Sequence, residues 1–78
     1  MTIQEMSALA REHWRANYPK TYNLMVKNGD LERESDAAAK LTERELKALQ
    51  RGGLNEQAAW EAARELFILK DPGPDYNP

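Results

Sequence analysis

The residues of this 78-residue chain that are best equipped for chemistry are one histidine, two groups of charged side chains and the aromatic rings among them. His13 is the single imidazole and falls with Met6, Leu9 and Ala10 on one side of a helical repeat. A histidine so placed ordinarily serves as a hydrogen-bonded residue of the core or its edge; its other use is as a pH-sensitive contact, because imidazole titrates near neutrality. Arg11 and Arg15 lie one turn apart and flank Trp14, with Tyr18 and Lys20 just beyond. Cations interleaved with rings can hold phosphates and stack bases, and Trp, Tyr and Arg also dominate protein hot spots. The plainer alternative puts Trp14 in the core with the arginines as its solvated border. Asp30, Glu32, Glu34 and Asp36 set four carboxylates within seven residues around Arg33. Paired carboxylates can exchange protons or hold a divalent cation, but this run lacks the glycine and terminal glutamate of a calcium loop. It suits a solvated, capped helix start; the sharper alternative is a strip that imitates a phosphate backbone for a basic groove on a partner.

The rest of the inventory narrows the chemistry. The chain has no cysteine, which excludes disulfide scaffolds, Cys-ligated zinc, iron–sulfur clusters and thiol catalysis and leads us to expect a cytoplasmic protein. Neither a Gly-rich phosphate loop nor zinc-ligand spacing accompanies His13, so no enzyme, metal or cofactor is expected. No stretch approaches the roughly 20 apolar residues of a membrane helix, and Met1 to Ala10 holds Gln4 and Glu5 in place of a basic start and apolar run. The formal charge of −2 disfavours a broad phosphate-binding face. The balance is uneven, however: residues 1–29 carry four basic and two acidic side chains, the remainder seven and eleven.

Helical spacing with no sustained alternation predicts an all-α protein, a compact bundle of three to four helices occupying residues 1–70 as a single domain. Thr2 and Glu5 stand in capping-box spacing and start a first helix over residues 3–17. Tyr18-Pro19 interrupts it and opens a short helix over 19–27, closed by Asn28-Gly29. Asp30 is placed to cap a long helix over 31–51, whose inward stripe reads Leu31, Ala38, Leu41, Glu45, Leu46 and Leu49. Ser35-Asp36 and Thr42-Glu45 are internal cap signals that leave room for a break in it. Gly52-Gly53 stops the long helix, and Asn55 caps a last one over 56–69. The tail 71–78, with three prolines, is expected to be extended or disordered.

The αα-hairpin across Gly52-Gly53 is compatible with a helix-turn-helix, but its second helix would offer Glu56, Gln57, Glu61 and Glu65 beside the single Arg64, a poor reader of DNA bases. The same shape looks like the last two helices of ubiquitin-associated-type modules. Ala10-Arg-Glu-His-Trp14, Pro19, Tyr22, Gly29-Asp-Leu-Glu32, Thr42 with Glu45-Leu46, and Ala59-Trp-Glu-Ala-Ala-Arg-Glu65 together resemble small helical proteins of prophages and integrated elements, more loosely the transposon-encoded TnpV type. The resemblance covers about residues 8–70, transfers no catalytic residue, and implies a mobile-element setting in which such proteins bind and redirect a host or phage protein.

The expected function is therefore a non-enzymatic protein-binding module, acting through Arg11, Trp14, Arg15 and Tyr18 or through Asp30, Glu32, Glu34 and Asp36. Nucleic-acid binding by the first helix and a structural homodimer are the alternatives. The expected core is Ile3, Met6, Leu9, Trp14, Tyr22, Met25, Leu31, Leu41, Leu49, Trp60, Leu66 and Phe67. Truncation of Trp60 to Ala should on that basis cost about 3–5 kcal/mol in denaturant unfolding.

Overall fold

A computed structural model describes residues 1–73 and contains four helices: α1 Ile3–Asn17, α2 Pro19–Asn28, α3 Leu31–Arg51 and α4 Glu56–Phe67. The fold is all-α, with no strand among the described residues. Most of the expected tail, residues 74–78, lies outside the described ones. Asp71 to Gly73 are half-buried, not extended into solvent. Asp71 Oδ1 accepts from the Gly73 N–H at 2.8 Å, and a Cβ on Gly73 would meet Thr21 Oγ1, so the chain turns back onto α2.

The helix ends follow their local chemistry. Thr2 Oγ1 accepts from the Glu5 N–H at 3.1 Å while the Glu5 carboxylate accepts from the Thr2 N–H at 3.0 Å, a complete capping box. That N–H holds the Glu5 carboxyl below its usual range. A lowered acid stabilises the fold above its ordinary pKa and loses that contribution as pH falls through the depressed value. Gly29, at φ 74°, takes the left-handed conformation that closes α2, with the Asp30 N–H bonded to the Met25 carbonyl at 2.8 Å. Asn55 caps α4 by accepting from the Ala58 N–H at 2.9 Å. Asp30 occupies the cap position of α3 but makes no cap hydrogen bond with its side chain; its carboxylate reaches Arg33 at 3.1 Å.

The long helix is unbroken. The hydroxyls that signalled internal caps are used elsewhere: Thr42 Oγ1 donates to the Ala38 carbonyl at 2.8 Å and Ser35 Oγ to the Glu32 carbonyl at 3.0 Å. Helix α4 ends two residues earlier than its spacing suggests. The Ile68 and Leu69 N–H groups both bond to the Arg64 carbonyl, at 2.9 and 2.8 Å, and the second, an i→i−5 bond, widens the last turn and ends the regular ladder.

Helices α1 and α4 pack mainly on α3, with α2 against α1 and, more lightly, α3. The buried apolar set is Met6, Ala10, Trp14, Met25, Ala38, Ala39, Ala59, Ala63 and Ile68, joined by the polar Ser7, Ser35 and Thr42. Five of these nine apolar residues are alanines. Small side chains where helices cross let backbones approach closely, and large ones are then pushed to the margins. This overturns part of the expected core: Leu9, Leu41 and Leu66 are 43%, 42% and 49% exposed, while Ile3, Tyr22, Leu31, Trp60 and Phe67 are half-buried around the core. The stripe of α3 that faces inward is Ser35, Ala38, Ala39 and Thr42, rotated away from Leu41.

Trp14 is 2% exposed and Trp60 only half-buried. The cost of about 3–5 kcal/mol therefore moves to Trp14→Ala, and Trp60→Ala should cost less. Urea unfolding of the two variants gives the order; a larger loss for Trp60 would contradict this packing.

Candidate functional site

The expected basic–aromatic side of α1 does not form one surface. Arg11 is half-buried, and its Nη1 donates to Ser7 Oγ at 2.7 Å and to Ser35 Oγ at 3.0 Å. The two hydroxyls are 3.0 Å apart, and Ser7 Oγ lies 2.7 Å from Asp36 Oδ1. One consistent assignment has Ser7 donating to Asp36 and accepting from Arg11, while Ser35 donates to the Glu32 carbonyl or to Ser7. Ser7 thus relays between a guanidinium and a carboxylate across the α1–α3 contact. With Ser7 1% and Ser35 0% exposed, neither hydroxyl is open to a substrate. The cluster pins one helix to the other.

Trp14, Tyr18 and His13 turn toward the end of α4. Trp14 Nε1 donates to the Ile68 carbonyl at 3.0 Å, Tyr18 Oη to the Leu69 carbonyl at 3.3 Å, and His13 Nε2 to the same Leu69 carbonyl at 3.1 Å. A carbonyl oxygen can only accept, so Nε2 carries the proton of that bond, and Nδ1 is left to accept from Asn17 Nδ2, 3.1 Å away. His13 and Tyr18 also meet edge to face, with centroids 5.8 Å apart. Two side chains of α1 and that of its cap residue Tyr18 thus satisfy carbonyls just beyond the end of α4. Arg15 alone of the expected set is exposed on this helix, paired with Glu12, which pushes its pKa further up.

The four carboxylates separate for a geometric reason. At 3.6 residues per turn, Asp30 and Glu34 share one side of α3, and Glu32 and Asp36 point about 120–160° away from them. Asp30 and Glu34 bracket Arg33 at 3.1 and 3.4 Å. Asp36 joins the Ser7 cluster, and Glu32 is exposed beside Arg11.

Two features went unnoticed in the sequence. The first is a trench between α3 and α4, about 210 Å³, with Trp14, Ala37, Ala38, Leu41, Leu66 and Phe67 among its lining and Glu34, Lys70 and Asp71 also bordering it. The second is a basic ridge. Arg33, Lys40, Arg44, Lys47 and Arg51 follow one another at intervals of seven, four, three and four residues and are all exposed. That spacing puts them within about 60° of one another, opposite the buried stripe, over about 27 Å of helix. Lys47 reaches Glu43 at 3.6 Å, and Arg33 is held as above; Lys40, Arg44 and Arg51 make no ion pair among the described residues. The ridge was legible as a 3.6-residue period in cations. The trench was not, because its leucines read as core.

Among the described residues no group of three or more His, Asp or Glu side chains is arranged to hold a metal ion, and no helix is long and apolar enough to cross a membrane. No family model, curated protein or solved structure matches the chain.

Removing the Ser7 hydroxyl leaves the half-buried Arg11 and Asp36 without their shared partner. Ser7→Ala should lower the unfolding free energy by about 1–3 kcal/mol, and Arg15→Ala by no more than about 0.5 kcal/mol. Paired urea titrations at neutral pH measure the contrast.

Proposed function

We propose that this chain is a non-enzymatic, cytoplasmic protein-binding module whose contact surface is the α3–α4 trench. One observation carries this reading: Leu41 and Leu66, large apolar residues from two helices, stand exposed along the same concave, apolar-floored feature. Isolated exposed leucines are ordinary on a monomer, whereas apolar side chains gathered at a concavity suit the anchors of a partner. The resemblance of residues 8–70 to proteins of prophages and integrated elements is in keeping with an inhibitor or adapter of that origin. Nucleic-acid binding by α1 has less support, since Trp14 is buried and Arg11, His13 and Tyr18 are hydrogen-bonded within the fold.

The test compares the tagged chain with its Leu41→Ser/Leu66→Ser variant in affinity capture from a host lysate, with and without nuclease. Both substitutions are at the surface, and the variant should melt close to the parent. The reading stands if a protein in stoichiometric amount survives nuclease with the parent and is lost with the variant. Retention that vanishes with nuclease would overturn it, as would capture indifferent to the two leucines. Recovery of further copies of the chain alone would favour the homodimer.

A further inference from the structure

The trench has a charged neighbour. Around α3, the basic ridge is bordered on the side toward α4 by Ala37, Leu41 and Ala48, with Glu34 and Glu45 beyond them, and on the side toward α1 by Glu32, Asp36 and Glu43. We infer that the ridge and the trench together form a docking surface for an acidic amphipathic helix of a partner protein, its apolar side chains seated against Leu41 and Leu66 and its carboxylates along Lys40, Arg44 and Arg51. The inference rests on the protein-binding reading and adds the chemistry of the partner.

Three observations choose this occupant. The ridge is straight and about 27 Å long, the length of some five helical turns, so an antiparallel or parallel helix of about 18–20 residues covers it end to end. Three of its five cations are uncommitted: Lys40, Arg44 and Arg51 have no ion pair among the described residues. The Lys47–Glu43 pair is exposed, and such pairs are weak enough to exchange partners. The third observation separates a helix from a nucleic acid. A phosphate backbone is broad and charged on every side, and here it would meet the carboxylates of Glu32, Asp36 and Glu43 beside a ridge one side chain wide, on a chain of formal charge −2. An amphipathic helix presents charge on one side and apolar surface on the next, which is the order in which Arg44 and Leu41 occur. Opposite charge along the ridge steers the encounter and sets the direction of docking, and burial of the leucines supplies affinity.

The experiment is a titration of the isotope-labelled full chain, followed by amide NMR shifts. The probe is a designed helix of about 20 residues with leucines at i, i+3, i+4 and i+7 and glutamates along one border. A counterpart carries lysines in place of the glutamates, and a short DNA duplex forms a third arm. The acidic peptide should shift the amides of Lys40, Leu41, Arg44 and Leu66, bind at least about tenfold more tightly than its lysine counterpart, and weaken several-fold as salt rises from about 0.05 to 0.5 M. Lys40→Glu/Arg44→Glu, with an unchanged melt, should lose about tenfold or more. Equal affinity for the two peptides, shifts centred elsewhere, no shift with either peptide, or tighter binding of the duplex at the same amides would each overturn the inference. Its failure is separable from that of the protein-binding reading. A captured protein lost with Leu41→Ser/Leu66→Ser but kept by Lys40→Glu/Arg44→Glu removes only the acidic-helix inference, whereas capture indifferent to the leucines removes both.

Discussion

Small side chains on three helices govern this fold. Ala38 and Ala39 on α3, Ala10 on α1, and Ala59 and Ala63 on α4 are all buried, and with so little bulk between them the helices come together closely. Space that large side chains would have filled is taken by backbone. Met6, Trp14, Met25 and Ile68 occupy what remains of the interior, and several leucines that a looser bundle would enclose are left outside. The apolar margin of α3 and α4, and with it the candidate binding surface, is a consequence of alanine packing.

Close packing also brings polar groups inside, and each is answered. Ser7 and Ser35 meet across the α1–α3 contact, where Arg11 and Asp36 complete their hydrogen bonds. Thr42 returns its hydroxyl to its own helix. The carbonyls at the end of α4 find Trp14, His13 and Tyr18. An apolar contact tolerates sliding, but hydrogen bonds between particular atoms do not, so these groups hold the register of α1 against both its neighbours. One exception stands out: Arg64 Nε is buried and has no hydrogen-bond partner among the described residues.

Function follows from which residues these demands consume. The aromatic and basic residues of α1 are the most chemically conspicuous in the chain, and they are spent on the fold, apart from the exposed Arg15. The outer side of α3 takes no part in packing and so is free to carry charge. Its five cations share one face because their spacing keeps step with the helical turn, and that face lies along the trench left by the alanine crossing. The arrangement joins long-range attraction to a short-range apolar contact, the combination by which helix-binding surfaces select partners.

Much of the local architecture was written in the sequence. The Thr2–Glu5 capping box, the left-handed Gly29, the proline start of α2, the Asn55 cap and the stop at Gly52-Gly53 are interactions between residues a few positions apart, so residue type and spacing determine them. The four helices and all but one of their boundaries to within a residue follow from that, as does the dispersal of the four carboxylates around α3, which needs only the pitch of a helix. What only the tertiary structure decided is which side of each helix faces inward. Leu41 and Ser35 exchange the places their polarity suggests because burial depends on how near the neighbouring backbone comes and on whether a hydroxyl meets a partner 28 residues away. Local spacing carries neither fact, since both arise from pairs of helices and not from one.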